Sequence, residues 1–91
     1  VESIQNLVAS HFNLNIQELL SPRRSRSLAR PRQIAMYLAK QHTTNSLPDI
    51  GRKFSNRDHT TVIHAVKKID ELIKKDNDVR QSVAELKKKM L

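Results

Sequence analysis

A run of polar side chains, Asp58-His59-Thr60-Thr61, comes directly before an apolar helical pattern that begins at Val62. Aspartate can accept a hydrogen bond from a cytosine amino group, and threonine can hydrogen-bond to a base edge or place its methyl group against that of thymine. On the first turn of a helix, such side chains could read base edges in a groove of a duplex. A simpler interpretation stays open: Asp58 would be only the N-cap, and the threonines ordinary first-turn residues.

Five arginines form a second group, upstream of this polar run: Arg23, Arg24, Arg26, Arg30 and Arg32. Loops that carry arginine can enter the minor groove, where narrow A·T-rich stretches concentrate negative potential. For any single arginine, charge alone slightly favours a phosphate contact without sequence preference. Arg32 and Lys40 fall on one side of a predicted helix, which makes them the better candidates for phosphate contacts.

The positive charge is concentrated in the middle of the chain. The formal net charge is +8, from 17 lysines and arginines and nine acids. Residues 19–69 hold eleven of the bases and two of the acids, so the rest of the chain holds six bases and seven acids. A basic middle segment indicates a surface that faces a polyanion, whereas uniform basicity would indicate only solubility.

Other kinds of chemistry find little support in these residues. His59 and His64 are five positions apart, which is poor spacing for two metal ligands on a helix, and His11 and His42 are isolated. The chain has one glycine and no cysteine, which excludes a glycine-rich phosphate loop and a thiolate metal site. The sequence therefore predicts no enzyme activity, no metal and no cofactor in this domain.

Length and composition narrow the class of protein further. A chain of 91 residues makes at most one domain and leaves little room for a catalytic cleft beside its core. The lack of cysteine fits a cytosolic protein, and neither a signal peptide nor an apolar run of transmembrane length is visible. Because the chain starts at Val1 and opens directly into a helical pattern, we expect a domain excised from a longer protein.

Apolar residues recur at helical spacing and no alternating pattern is present, which predicts an all-α domain of about six helices. The first helix is amphipathic and should stop near Asn13. Asn15 and Glu18 make a capping-box signal for a short second helix that runs through Leu20.

Residues 21–30 show no periodicity and are predicted to be a basic loop, of which the arginine-rich segment is the part from residue 23 to residue 30. A helix should follow from Pro31 to about Gln41, because proline suits a first turn and disfavours helix in the residue before it. Three apolar residues should face the core from this helix: Ile34, Ala35 and Leu38. Three polar residues lie off that stripe: Arg32, Gln33 and Lys40.

A helix-turn-helix is predicted over residues 47–75. Ser46 is the expected N-cap of a short helix over residues 47–54, and a three-residue turn leads to a long helix over residues 58–75. Gly51 lies on the apolar face of the short helix, where its cost of roughly 1 kcal/mol relative to alanine suggests close approach of another helix backbone. In this motif the first residues of the second helix meet base edges in the major groove. A last helix closes the chain.

Three segments resemble the C-terminal DNA-binding domain of the bacterial replication initiators of the DnaA family. They are residues 23–33 (RRSRSLARPRQ), 46–51 (SLPDIG) and 57–65 (RDHTTVIHA), and the last is the signature of that family. The resemblance runs in order through nearly the whole chain. It implies a domain that binds double-stranded DNA at short asymmetric boxes of the TTATNCACA type, at the replication origin and at some promoters of the bacterial chromosome.

The resemblance also assigns roles to positions. Base contacts are implied for Arg24 in the minor groove and for six residues of the helix-turn-helix: Leu47, Pro48, Asp58, His59, Thr60 and Thr61. Contacts with the DNA backbone are implied for Arg26, Arg32, Gln33, Lys40 and Lys68. Many family members have glycines where this chain has Ser55-Asn56, which puts the conformation of the turn in question. The ATPase module of the family lies outside this sequence, and one monomeric domain per box is expected.

Two other functions remain to be weighed. A helix-turn-helix regulator of another family would bind a palindromic site as a dimer, with the last helix as the available dimer element. A basic module for acidic membrane surfaces would bind anionic vesicles without any base preference.

Overall fold

The computed structural model describes residues 1–22 and 26–90, with the side chain of Arg26 left out. The described residues form six helices and no strand, which confirms the all-α prediction. The helices are α1 (Glu2–His11), α2 (Ile16–Leu20), α3 (Arg26–His42), α4 (Leu47–Lys53), α5 (His59–Lys75) and α6 (Asn77–Lys89). No helix among them is long and apolar enough to cross a membrane.

The first two helices end and begin where the sequence predicts. Asn13 has a φ of 56°, a left-handed conformation that asparagine tolerates better than most residues, and it separates α1 from α2. The capping box of α2 is present: the Asn15 side chain accepts from the Glu18 backbone N–H at 2.8 Å, and the Glu18 carboxylate accepts from the Asn15 N–H.

Helix α3 starts earlier than predicted, at Arg26, so the second half of the predicted loop over residues 21–30 is helical. Pro31 therefore lies inside the helix, where it has no N–H to donate to the preceding turn. Both Leu28 and Pro31 are buried. Packing of the extra turn offsets the missing hydrogen bond, and that tertiary effect is not visible in the local preference of the residue before proline.

Helix α3 is the centre of the fold and is buried on more sides than its predicted stripe. Ile34, Ala35 and Leu38 are in the core as expected, and three further residues join them: Met36, Tyr37 and Ala39. The cause is the number of neighbours, because α3 packs most extensively against α5 and also contacts α1, α2 and α4.

The helix-turn-helix consists of α4, a turn and α5. The Ser46 hydroxyl caps α4 by accepting from the Asp49 N–H at 3.3 Å, and Phe54 ends the helix as a fully buried C-cap residue. Ser55 and Asn56 then both have a left-handed φ, 60° and 57°. This is the conformation that glycine adopts most easily, which explains why glycines suit these two positions.

Gly51 is the closest point of approach inside this motif. A β-carbon built at Gly51 would overlap the carbonyl oxygen of Arg57 and lie 3.2 Å from its carbonyl carbon. The Arg57 N–H also donates to the Gly51 carbonyl at 2.8 Å. The prediction of a close backbone is confirmed, but the backbone belongs to the turn before α5 and not to another helix.

Candidate nucleic-acid interface

The amino-terminal tip of α5 is exposed and polar. Asp58 is its N-cap, and Oδ1 accepts from the Thr60 N–H at 3.2 Å and lies 3.0 Å from Nδ1 of His59. The side chains of Asp58 and His59 are 68% and 55% exposed, and Thr60 and Thr61 are also exposed. Asp58 therefore caps α5, and the exposed side chains of this tip keep further hydrogen-bonding capacity for a ligand.

The first turn of α4 carries Leu47 and Pro48, the two apolar residues of the predicted interface. Pro48 is exposed, and Leu47 is partly buried against the core. Proline is well placed in a first helical turn, because its missing N–H would have no intrahelical partner there. The structure thus presents a small apolar surface at the start of α4.

A cleft of about 500 Å³ lies between α3 and the beginning of α5. Gln33 comes from α3, Thr61 and His64 come from α5, and Pro22 lines the same cleft from the chain before α3. The arginine-rich segment follows Pro22 directly. The fold therefore brings Pro22, the residue before this segment, to the same cleft as Thr61 and His64 of α5, although they are far apart in sequence.

The two lysines predicted to contact the DNA backbone lie on α3 and α5, beyond the residues of these helices that line the cleft. Lys40 follows Gln33 by seven positions and Lys68 follows Thr61 by seven, so each pair lies on one helix face about two turns apart. Both lysines are exposed. Gln33 is half-buried and its Oε1 accepts from Nη1 of Arg30 at 2.7 Å.

Arg32 is not where the sequence predicted it. We expected it off the apolar stripe as a phosphate contact, but it is buried, with 6% exposure. Its Nε donates to the Leu19 carbonyl at 2.7 Å, and Nη2 donates to the Ser21 carbonyl at 2.6 Å. The reason is that α2 ends without a glycine cap and its carbonyls need donors, which Arg32 supplies from α3. Arg32 also lines the cleft between α3 and α5, and its contact with the DNA backbone stays a prediction.

Arg57 donates to the same Ser21 carbonyl as Arg32, a role that the sequence patterns did not predict. Its Nη1 donates to the Phe54 carbonyl and Nη2 to the Ser21 carbonyl, both at 2.7 Å. Burial lowers the pKa of Arg57, and burial, followed by the charge of Arg57, lowers the pKa of Arg32. Both guanidinium groups stay charged, since arginine is not deprotonated in proteins. The only signal in the sequence was its position directly before the N-cap Asp58.

Two residues of the predicted interface are left without structural description. Arg24 lies outside the described residues, and so does the side chain of Arg26, whose backbone opens α3. Within the described residues, no group of three or more His, Cys, Asp or Glu could hold a metal ion. His11 lies 3.9 Å from Glu85, at a contact between α1 and α6.

Comparison with known proteins supports the interpretation of the sequence. The family described as "Bacterial dnaA protein helix-turn-helix" matches residues 1–69. The chromosomal replication initiator protein DnaA of Gluconobacter oxydans is 54% identical over 91 residues, which are all of this chain and 19% of that protein. The protein of the same name from Brucella abortus is 53% identical over 88 residues, which are 97% of this chain and 18% of that protein.

A solved structure agrees with both sequence comparisons. It is titled as the crystal structure of a DNA replication initiation factor, and it superposes with a TM-score of 0.83 at 34% identity, over 96% of this chain and 26% of that one. The chain thus spans less than a fifth of the curated relatives that it matches. On its sequence and its fold, the chain belongs to the bacterial DnaA helix-turn-helix family.

Proposed function

We propose that this domain binds double-stranded DNA in a sequence-specific manner, at asymmetric boxes of the TTATNCACA type, and so serves the initiation and regulation of chromosome replication in the bacterial cytoplasm. The relatives are named chromosomal replication initiator proteins, which supports a role at the origin. Nucleotide binding and hydrolysis would belong to parts of those longer proteins that this chain does not cover.

The observation that carries the proposal is the exposed polar tip of α5 directly after a helix-turn-helix turn. In this motif the second helix lies in the major groove and its amino-terminal residues meet base edges. His59 and Thr60 are the central base contacts in our proposal, with Asp58 and Thr61 on either side. Their exposure and their position on the first turn support this role.

Two further groups of contacts extend the proposed major-groove surface. Leu47 and Pro48 would pack on thymine methyl groups, for which their apolar surface at the start of α4 is suited. Gln33, Lys40 and Lys68 would contact the DNA backbone from the walls of the cleft and so fix the orientation of the duplex.

The arginine-rich segment would enter the adjacent minor groove. Arg24 is the proposed base contact there and Arg26 a backbone contact. Support comes from Pro22, which lines the cleft beside α5 and directly precedes the segment. A duplex whose major groove holds α5 would present a minor groove close to this point, since the two grooves alternate along one face of DNA.

Binding of the isolated domain to two duplexes tests the proposal. One contains a TTATNCACA box, and the other a scrambled sequence of equal composition, at near-physiological salt. We expect a preference of about 10³-fold or more for the box, because the tip of α5 offers directed hydrogen bonds and phosphate attraction alone has no sequence preference. Equal binding to both duplexes, lost steeply with added salt, would show only a basic surface and would refute the proposal.

A further inference from the structure

The carboxyl end of α2 is held by side chains from two distant parts of the chain. A helix leaves its last carbonyls without intrahelical partners, and α2 ends on Ser21 in an extended conformation without a left-handed cap. Arg32 of α3 donates to the carbonyls of Glu18, Leu19 and Ser21. Ser55 donates from its hydroxyl to the Leu20 carbonyl.

Arg57 adds a bridge from the helix-turn-helix turn to the same helix end. One nitrogen of its guanidinium holds the Phe54 carbonyl, at the end of α4, and the other holds the Ser21 carbonyl. Its backbone N–H holds the Gly51 carbonyl at 2.8 Å. Because the guanidinium is planar and rigid, two carbonyls held by its two nitrogens are fixed relative to one another.

The two ends of this bridge are next to the two proposed reading elements. Arg57 directly precedes Asp58, the first residue of the α5 tip, and Ser21 is followed by Pro22 and the arginine-rich segment. Arg32 holds the Ser21 carbonyl as well, at 2.6 Å, so this carbonyl accepts from two arginines. The Ser21 backbone, two positions before Arg23, is therefore tied to the beginning of α5 through one side chain.

We propose that Arg57 is a positioning residue that fixes the Ser21 backbone, which leads into the arginine-rich segment, relative to the tip of α5 and thereby couples the DNA contacts of the two reading elements. The inference rests on the proposed function. A binding surface has to be held within about 0.5 Å of its productive geometry, and two elements that read different grooves have to meet that condition together. Without the bridge each element could still contact DNA, but the two would no longer be in register on one site.

The test compares Arg57→Met with Arg80→Met in the same domain. Arg80 is a matched control, because it lies in α6 and also holds carbonyls at a helix end, those of Ile73 and Lys74 in the last turn of α5. Each variant loses one positive charge and one guanidinium bound to carbonyls. We expect Arg57→Met to lose about tenfold of the preference for the box over the scrambled duplex, whereas Arg80→Met keeps the wild-type ratio.

A charge-conserving variant separates positioning from a direct phosphate contact. Lysine at position 57 keeps the charge but cannot hold two carbonyls in a fixed plane. We expect Arg57→Lys to lose box preference as Arg57→Met does, with circular dichroism confirming that its helices are intact. Recovery of the full preference with lysine would overturn the inference, because a charge alone would then be sufficient.

A double-mutant cycle measures the coupling itself. Arg24→Ala removes the proposed minor-groove contact, and we expect it to weaken box binding several-fold less in the Arg57→Lys background than in the wild type. Equal losses in the two backgrounds would overturn the inference. A wild-type domain without preference for the box would instead refute the proposed function, so the two failures are distinguishable.

Discussion

Asp58 has a structural role that does not depend on any base. Its carboxylate caps α5 by accepting from the Thr60 N–H, and the same side chain is exposed beside His59. Short polar residues are common at helix starts for this reason alone. The capping role and base reading can be separated by a substitution that preserves one of them.

Asp58→Asn should preserve the cap and remove the negative charge, because asparagine caps helices as well as aspartate does. We expect the free energy of unfolding in urea to stay within about 0.5 kcal/mol of the wild type. The preference for the box should nevertheless fall by about 1–3 kcal/mol, because Oδ1 stays on the Thr60 N–H and an NH2 donor replaces Oδ2, the oxygen left to accept from a cytosine amino group. Asp76→Asn is the matched control, because Asp76 caps α6 in the same way. Unchanged preference in Asp58→Asn would leave Asp58 with its capping role alone.

Lys40 is exposed on the same face of α3 as Gln33. Its proposed contact is with the DNA backbone and does not depend on the base sequence. Lys40→Ala should weaken binding to the box and to scrambled DNA by a similar factor. The slope of log affinity against log salt should fall by about 0.9, the value for one phosphate contact. Lys88→Ala removes an equally exposed lysine from the last turn of α6 and should leave the slope unchanged. A wild-type slope in Lys40→Ala would place Lys40 away from phosphates.

At the scale of single residues, sequence patterns predicted the exposed polar residues at the tip of α5. They did not predict which arginines are buried. Arg32 and Lys40 look equivalent in the sequence, yet Arg32 is buried against the end of α2 and Lys40 is in solvent. The difference depends on which unpaired carbonyls lie within reach of a long side chain in the folded domain. No local sequence pattern contains that information. The contacts of Arg57 could not be predicted for the same reason.

Among the elements, the turn between α4 and α5 places the strictest demands on the sequence. Two consecutive left-handed residues, Ser55 and Asn56, turn the chain back, and Gly51 leaves space for the carbonyl of Arg57. The glycine was visible in the sequence as an anomaly on an apolar helix face. What the sequence did not reveal was the identity of its neighbour, because that depends on the path of the turn.

Gly51→Ala should therefore destabilise the domain although alanine favours helix. The new methyl group would overlap a backbone atom, which cannot move away as a side chain could, and such overpacking costs about 1–3 kcal/mol. Urea unfolding should show this loss, whereas Gln81→Ala on the exposed face of α6 should be neutral or slightly stabilising. An increase in stability with Gly51→Ala would mean that the turn does not approach α4 this closely.

Helix boundaries were predicted well where a cap specifies them and poorly where packing does. The caps at Asn15, Ser46 and Asp58 act locally, and all three are present. The start of α3 was misplaced by five residues, because Pro31 was expected to open the helix and instead lies within it. Burial of Leu28 and Pro31 decides that boundary, and burial is a property of the complete fold.

On the scale of the whole molecule, the basic middle of the chain and its nearly neutral ends lie largely in different helices. The basic middle of the chain includes α3, α4 and the start of α5, and residues of α3, of the turn after α4 and of α5 line one cleft. The terminal helices α1 and α6 pack against each other and against the two long helices, with their nearly balanced charges in solvent. The excess of positive charge thus belongs to residues 19–69, which suits a domain that binds a polyanion through this part of the chain.

In the proposed complex, α5 reads the major groove of a box while the arginine-rich segment reads its minor groove. The most direct measurement replaces each A·T pair of the box in turn by inosine·cytosine and by G·C, and compares the affinities. Inosine lacks the guanine amino group, so inosine·cytosine resembles A·T in the minor groove and G·C in the major groove.

We predict two classes of position, with losses of about 1–3 kcal/mol each. Both replacements should weaken binding where α5 reads the pair, and only G·C should do so where the arginine-rich segment reads it. Equal losses from both replacements at every position would contradict minor-groove reading, and tolerance of inosine·cytosine at every position would contradict major-groove reading by α5.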